Sequence, residues 1–412
     1  MAAICCYTAQ LVVDSPNGLV MPVDAAMADF SDVCRYLFGV WGERTAVGFS
    51  IVVLLGGVMV YWVLMSNFLY YTGTVVYEAL QPNSTTIPIM TNKTFTCDVY
   101  CPDKQFSSTL FSSMDSIEEL LSFEKKGNVT GGITFDNIWT LQGTVPIFLA
   151  ILCFPLLNFK SPTFFTKFNV LGTVSVMYLI IFTASKLVEC GFNMDFSDAT
   201  SEHYVELFRW RFPSLTGTAT LSYFVHNAAL VILRNQKNPE NNRRDLTIGY
   251  VLSAVTYVFI GFTFYAGFPT WRNCIDSNFL NNFGTGDVMS ATARLFLLFQ
   301  MITVLPLLMF LIRSQFFYAF NGKAWPGVTK VCILNACVVV TAASMAIFYP
   351  KVGQILRYVG SLTGLVYVFA LPCMAYIKKK EVLGQTIPRW HRYALYTLIF
   401  LGAANAFSQV FV

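Results

Sequence analysis

The sequence predicts an all-α polytopic membrane protein. Only 12 % of its 412 residues are charged, whereas 55 % are hydrophobic, and soluble domains typically carry about 25 % charged residues. Nine segments contain no Asp, Glu, Lys or Arg, and a helix of about 20 apolar residues spans a hydrocarbon core of roughly 30 Å. We therefore expect a nine-span transmembrane domain over residues 45–412. The segments are 45–72, 139–157, 168–185, 213–233, 247–268, 295–312, 331–349, 358–377 and 393–412.

The distribution of basic residues predicts how the chain lies across the membrane. With loops assigned alternately to two sides, the side that holds residues 14–44 carries 16 basic and 8 acidic residues, and the other side carries 11 and 15. Basic residues accumulate on the cytosolic side, so we expect 14–44 to form a cytosolic loop and the C-terminus to be lumenal. The loop 73–138 is then lumenal, and it contains three glycosylation sequons, at Asn83, Asn92 and Asn128.

Cysteines and the first residues add two expectations. Residues 1–13 are apolar but too few to span a bilayer, and without a basic start or a cleavage site they do not resemble a signal peptide. They are predicted to be the end of a helix. Four cysteines lie in predicted lumenal loops, where disulfides form, and they allow three complete pairings. These cysteines are Cys97, Cys101, Cys190 and Cys274.

Several classes of function are not expected. The chain has no Cys/His cluster with zinc spacing, no Gly-rich phosphate loop and no basic–aromatic stripe. We therefore predict neither a bound cofactor nor a nucleic-acid partner. Nucleophilic catalysis requires a base and an orienting acid near the nucleophile, and no predicted span supplies an acid. An enzyme is thus not expected.

The segment 213–233 contains a high density of hydroxyl groups around Thr216, Gly217 and Thr218. A break in a helix is tolerated at membrane depth where it is buried in protein or lines a watery cavity. We expect one turn to unwind here and to offer backbone groups to a ligand. In the alternative, the hydroxyls bond the carbonyls of the preceding turn and only bend the helix.

His226 is the one acid–base side chain deep inside a predicted span, and Asn227 follows it. An ionisable group within the membrane is a functional-site hypothesis by default. The alternative is a neutral imidazole that makes a structural hydrogen bond between helices.

The segment 295–312 contains Gln300, Thr303 and Pro306. A proline removes the hydrogen bond to the carbonyl four residues earlier, and a nearby hydroxyl would suit a hard cation that prefers oxygen ligands. We expect either a Na⁺ ligand at Thr303 or a simple kink.

Four longer runs of residues resemble one family of transporters. They are YWVLMSNF at 61–68, PLLNFKSPTFFTKFNVLGTVSV around Asn158, ENNRRDL before Thr247, and ARLFLLFQMITVLPLL at 293–308. On these runs the chain resembles the sodium-coupled neutral amino acid transporter family of the amino acid/auxin permease superfamily, and most closely its lysosomal, arginine-sensing branch. The similarity extends from about Cys5 to the last residue.

The resemblance implies a leucine-transporter-like fold of two inverted five-helix repeats and an eleventh helix. On that plan the nine spans correspond to family helices three to eleven, and residues 1–13 are the stump of family helix two. The expected fold therefore lacks the first helix and most of the second, and a truncated form is one interpretation of this chain.

The resemblance also implies a site between the broken first and sixth helices, with Na⁺ as the coupling ion. Thr216, Gly217 and Thr218 would contact the amino acid, and Thr303 would bind Na⁺. The family pattern further suggests a lumenal disulfide between Cys101 and Cys274. Other candidates for the substrate path are Ser66, Asn67, His226, Asn227 and Gln300.

We therefore expect a multi-pass protein of the lysosomal or late endosomal membrane that transports or senses arginine and other amino acids. The family's arginine sensor engages the Ragulator–Rag GTPases upstream of mTOR complex 1 through an N-terminal tail, so this partnership is expected only where that tail is present. The alternatives are a non-transporting amino acid sensor and an inactive truncated form.

Overall fold

A computed structural model describes residues 1–21, 29–80, 97–99, 101, 135–161, 163–234, 236–323 and 325–411. The sequons at Asn83, Asn92 and Asn128 lie outside the described residues, as does most of the predicted loop 73–138. Within the described ranges the regular structure is helical, apart from two isolated β-bridges, Val99–Phe283 and Asp195–Tyr204. The predicted all-α class is confirmed.

Seven helices of the described part are long and apolar enough to cross a membrane, which confirms a polytopic protein. Two predicted spans form shorter helices: 139–157 gives a 14-residue helix, and 213–233 gives two helices separated by a break. The main helices are α1 (Ala2–Asp14), α2 (Phe30–Leu80), α3 (Thr144–Leu157), α4 (Asn169–Cys190), α5 (Phe212–Ser222), α6 (Ala229–Leu233), α7 (Asn242–Gly267), α8 (Val288–Asn321), α9 (Val328–Phe348), α10 (Val352–Gly364), α11 (Leu371–Val382) and α12 (Arg389–Ser408).

The smaller helical elements connect these helices. Two four-residue helices precede α3 and α4, at Phe135–Ile138 and Thr163–Thr166. Short 3₁₀ turns are Pro239–Asn241, Arg272–Cys274, Phe279–Asn282 and Gln409–Phe411. A π-helical segment, Leu365–Ala370, joins α10 to α11.

The expectation that residues 14–44 form a loop is wrong for its second half. Helix α2 begins at Phe30 and continues to Leu80, with a kink at Gly39, whose φ of +73° favours glycine. Charged residues ended the predicted span at residue 45, yet Val33 and Leu37 lie on the buried face of this first part of α2. A search for charge-free segments finds the part of a helix that lies in the membrane core. It misses an amphipathic part of the same helix that continues beyond the core.

Glycines allow the helices around α10 to approach closely, as expected for packing in lipid. A Cβ on Gly56 of α2 would lie 2.5 Å from the Val359 side chain, and a Cβ on Gly360 would lie 2.3 Å from the Gly217 carbonyl of α5. A Cβ on Gly364 would lie 2.3 Å from the Thr220 side chain. These contacts bring α2, α5 and α10 together at backbone distance.

Two disulfides tie the predicted lumenal ends of the helices. Cys97 pairs with Cys190, with 5.3 Å between their Cα atoms, and Cys101 pairs with Cys274, with 4.9 Å between theirs. The pairing of Cys101 with Cys274, which the family resemblance implied, is confirmed. Val99 lies between the two bonded cysteines and bridges to Phe283, so this short segment fixes the loop that precedes α8.

At the other side of the bundle, a buried arginine caps the end of α3. Arg313 of α8 is only 2 % exposed, and its guanidinium donates to the carbonyls of Leu157 (3.3 Å), Phe159 (2.6 Å) and Lys160 (2.8 Å). The amide of Asn335 donates to the Leu157 carbonyl as well, at 3.0 Å. Helix C-termini expose carbonyls and carry a partial negative charge, so this arginine satisfies groups that lipid cannot.

Arg313→Met should therefore destabilise the protein by about 3 kcal/mol, because the buried carbonyls lose charged donors. The measurement is thermal unfolding of the purified protein in detergent. Lys330→Met is the matched control, since Lys330 is exposed and its loss should leave the melting temperature nearly unchanged. Equal melting temperatures for both variants would contradict the role of Arg313 as a cap.

Candidate functional site

The segment between α5 and α6 is a break in a predicted span. Helix α5 ends at Ser222 and α6 begins at Ala229, so residues 223–228 between them are not helical. The last carbonyls of a helix have no partner within it, and in a membrane protein they require one from elsewhere. The break expected in 213–233 is therefore present, but at a different position.

Two tyrosines of α7 supply partners for the freed carbonyls. The Tyr250 hydroxyl donates to the Tyr223 carbonyl at 3.0 Å, and the Tyr257 hydroxyl donates to the Ser222 carbonyl at 3.3 Å. The tyrosines are seven residues apart, two helical turns, and so share one face of α7. The sequence analysis did not predict either tyrosine. Their seven-residue spacing, in the predicted span that follows the suspected break, was a signal that could have identified them.

His226 lies in the break and is fully buried. Its Nε2 atom is 2.9 Å from the hydroxyl oxygen of Thr8 in α1, which is also fully buried. The Thr8 hydroxyl donates to the carbonyls of Ile4 and Cys5, at 3.0 and 3.2 Å. A hydroxyl has one hydrogen, so we assign the proton of the neutral imidazole to Nε2, which donates to Thr8. Nδ1 then has a free lone pair, and it has no hydrogen-bond partner among the described residues.

Asn227, the next residue of the break, is bonded to a different helix. Its side-chain amide donates to the hydroxyl of Ser50 in α2, at 3.0 Å. Tyr367 of the π-helical segment lies nearby, with its ring 5.7 Å from that of Phe224. A π-helical turn is frequent at functional sites. The break is therefore held by α1, α2, α7 and the π-helical segment, and Thr8, Ser50 and Tyr367 were not predicted.

The expectation that a turn unwinds at Thr216–Thr218 is wrong, because α5 is continuous through these residues. The Thr218 hydroxyl bonds the Ser214 carbonyl at 3.1 Å, and the Thr216 hydroxyl contacts both the Pro213 carbonyl (2.8 Å) and the side-chain oxygen of Asn405 in α12 (2.5 Å). The bonds to the two carbonyls are the back-bonds of the alternative interpretation. Gly217 serves close packing, since a Cβ there would lie 2.9 Å from the Arg357 carbonyl.

Ser66 and Asn67 do not lie at the break. They are about 16 residues beyond Ser50 along α2, or roughly 24 Å at 1.5 Å per residue. The side-chain Oδ1 atom of Asn67 accepts from the Asn278 side-chain amide at 3.0 Å, and the buried Ser66 hydroxyl has no partner among the described residues. Asn67 therefore contacts the loop that the disulfides fix, towards the predicted lumenal side.

The candidate cation position lies on α8. Thr303 is buried, with 6 % of its surface exposed, and its hydroxyl donates to the Gln300 carbonyl at 2.8 Å. The Gln300 amide nitrogen lies only 3.0 Å from where a Cβ on Gly172 of α4 would be. Among the described residues there is no cluster of three or more His, Cys, Asp or Glu side chains that could hold a metal. A cation here would have to use hydroxyl and carbonyl oxygens.

Comparison with known proteins identifies the class of molecule. Residues 128–412 match the family described as transmembrane amino acid transporter protein. A Caenorhabditis elegans protein named sodium-coupled neutral amino acid transporter 9 homolog is 63 % identical over 412 residues, which cover 99 % of this chain and 67 % of that protein. Neutral amino acid transporter 9 of Xenopus tropicalis is 40 % identical over 413 residues, covering 99 % and 72 %.

A third relative, neutral amino acid transporter 9 of Rattus norvegicus, is 39 % identical over 419 residues, covering 99 % of this chain and 71 % of that protein. The resemblance drawn from the sequence is confirmed, and so is the expectation that the protein is not an enzyme. The chain belongs to the family of transmembrane amino acid transporters.

Proposed function

We propose that the protein transports arginine and neutral amino acids across the lysosomal membrane with Na⁺ as the coupling ion, and that residues 223–228 form its substrate-contacting segment. The break carries this proposal, because it places backbone polar groups, His226 and Asn227 together inside the bundle. The relatives' names support neutral amino acids as substrates and, in one case, sodium coupling.

The contacts of the break suggest how substrate access is coupled to helix movement. His226 bonds α1 and Asn227 bonds α2, so two consecutive residues connect the segment to separate helices. A ligand shifts a conformational equilibrium only through contacts that differ between the two states. Rearrangement of these two bonds when an amino acid binds would supply such a difference.

The substrate class follows from the acceptors available. The segment 213–233 contains no Asp or Glu, so a guanidinium would be held by carbonyls and by the free Nδ1 of His226 rather than by an ion pair. A site with such acceptors accommodates both neutral and cationic amino acids.

We further propose that recruitment of Ragulator–Rag GTPases requires the N-terminal tail that the family's arginine sensor uses.

The role of the Thr8–His226 bond can be tested with isosteric variants in proteoliposomes. Thr8→Val removes the hydroxyl at nearly constant volume. It should reduce amino acid flux about tenfold, because the free energy of one buried hydrogen bond is lost. Thr8→Ser should retain most of the flux. Thr341→Val, at an exposed position of α9, is the matched control. Equal flux in Thr8→Val and Thr341→Val would contradict the proposed coupling.

Comparing flux in proteoliposomes with arginine binding by the same wild-type protein separates transport from sensing. Arginine binding without flux would favour the alternative of a non-transporting sensor.

Coupling to Na⁺ makes a separate prediction for α8. Thr303→Val should raise the Na⁺ concentration needed for half-maximal flux at least tenfold, because one oxygen ligand is lost, while Thr303→Ser should keep the wild-type value. Thr292→Val in the same helix is the control, since its hydroxyl also bonds a carbonyl, at 2.8 Å. Unchanged flux when choline replaces Na⁺ in the wild type would overturn the coupling.

Location and orientation are testable together. In cells, the protein should co-purify with lysosomal membranes and should shift in electrophoretic mobility after treatment with an N-glycosidase. Replacing Asn83, Asn92 and Asn128 with Gln should abolish that shift, because these are the sequons of the predicted lumenal loop. A glycosidase-resistant wild-type protein would place this loop on the cytosolic side.

A further inference from the structure

A cavity of about 240 Å³ lies between the C-terminal end of α1 and the last turns of α11. None of the residues that line it belongs to α8, the helix of the candidate cation position. The residues that line it include Leu11, Asp14, Ser15, Tyr376, Lys379 and Lys380.

The cavity lies where charge-free helical stretches end. Asp14 is the first charged residue after the apolar start, Lys378 is the first after segment 358–377, and Asp245 is the last before segment 247–268. Charged residues flanking a span mark the membrane interface. The cavity therefore opens at the headgroup level, on the side whose basic residues predict it to be cytosolic.

The charges around the cavity do not cancel. Lys379 donates to the backbone carbonyl of Asp14 at 2.5 Å, and Lys380 donates to the Gln385 side chain at 2.6 Å. An ammonium has three donors, so both lysines can bond a further acceptor. The Asp14 carboxylate is paired with Arg243 of α7, at 3.5 Å. Two lysines and one arginine against one aspartate give a local charge of about +2.

We propose that this cavity binds the phosphorylated headgroup of a phosphoinositide in the adjacent leaflet. A phosphomonoester carries about −1.5 to −2 charge at neutral pH, which balances the local charge. Lysine ammoniums bind phosphate as point charges, and basic pockets between helices at the cytosolic side are suited to such headgroups. Leu11 and Tyr376 supply an apolar wall for the inositol ring and glycerol carbons.

The test uses the full chain in phosphatidylcholine nanodiscs that contain phosphatidylinositol monophosphate, with bound lipid counted by native mass spectrometry. Lys379→Gln combined with Lys380→Gln should weaken binding roughly thirtyfold, at about 1 kcal/mol for each basic residue. Lys378→Gln is the matched control, because Lys378 is exposed, is paired with Glu381 at 3.2 Å and does not line the cavity. It should bind as the wild type does.

A second variant predicts the opposite change. Asp14→Asn removes the one acidic group of the cavity and frees Arg243, so it should tighten binding severalfold, an effect that misfolding cannot produce. Retention of phosphatidylserine at matched total charge, equal loss in Lys378→Gln, or binding of inorganic phosphate as tight as that of the lipid would each overturn the proposal. Preferential retention of the phosphoinositide, lost only in the Lys379 and Lys380 variant, would support it.

Discussion

The structure depends on one constraint: within a bilayer, backbone N–H and C=O groups have no water to bond, so protein groups must satisfy them wherever a helix stops. At the break after α5, the hydroxyls of Tyr250 and Tyr257 bond the freed carbonyls. At the end of α3, Arg313 does the same with a buried charge. Arg294, fully buried in α8, bonds the carbonyls of Leu280 and Phe283 in the disulfide-fixed loop. Several buried polar side chains of the described interior thus serve as partners for the backbone of helix ends and loops.

This constraint distinguishes two kinds of helix end. The end of α3 is held by a guanidinium with several bonds to carbonyls, an arrangement that is costly to separate because a buried charge would lose its partners. The break is held by single hydrogen bonds between neutral side chains, in which His226 donates to Thr8 and Asn227 donates to Ser50. Neutral hydrogen bonds contribute about 1 kcal/mol net, so they can exchange partners at low cost. The hydrogen bonds at the break can therefore rearrange at low cost, whereas those of Arg313 hold the end of α3 in place.

Sequence patterns predicted the helices well because charge is expensive in lipid, and every charge-free segment contains helix in the described structure. They failed at α2, where Glu43 and Arg44 ended the charge-free segment although the apolar face continued towards Phe30. They also misplaced the break, because hydroxyl density at Thr216–Thr218 indicates side chains that can bond their own helix as readily as a ligand. His226 and Asn227 were noticed for their polarity, and they are the residues that the break brings into the interior.

The partners of the break could not be predicted in the same way, because they are assembled by tertiary packing. Thr8 and Ser50 are ordinary hydroxyl residues within apolar helices, and nothing local distinguishes them from Thr263, which bonds its own helix. Tyr367 depends on a π-helical segment that the sequence does not signal. The close approach of α5 to α10 rests on Gly217, Gly360 and Gly364, which were visible in the sequence although their partners were not. In this protein, small residues predict which helices pack closely. The positions at which helices end determine where polar side chains are required, because the backbone groups freed there need partners.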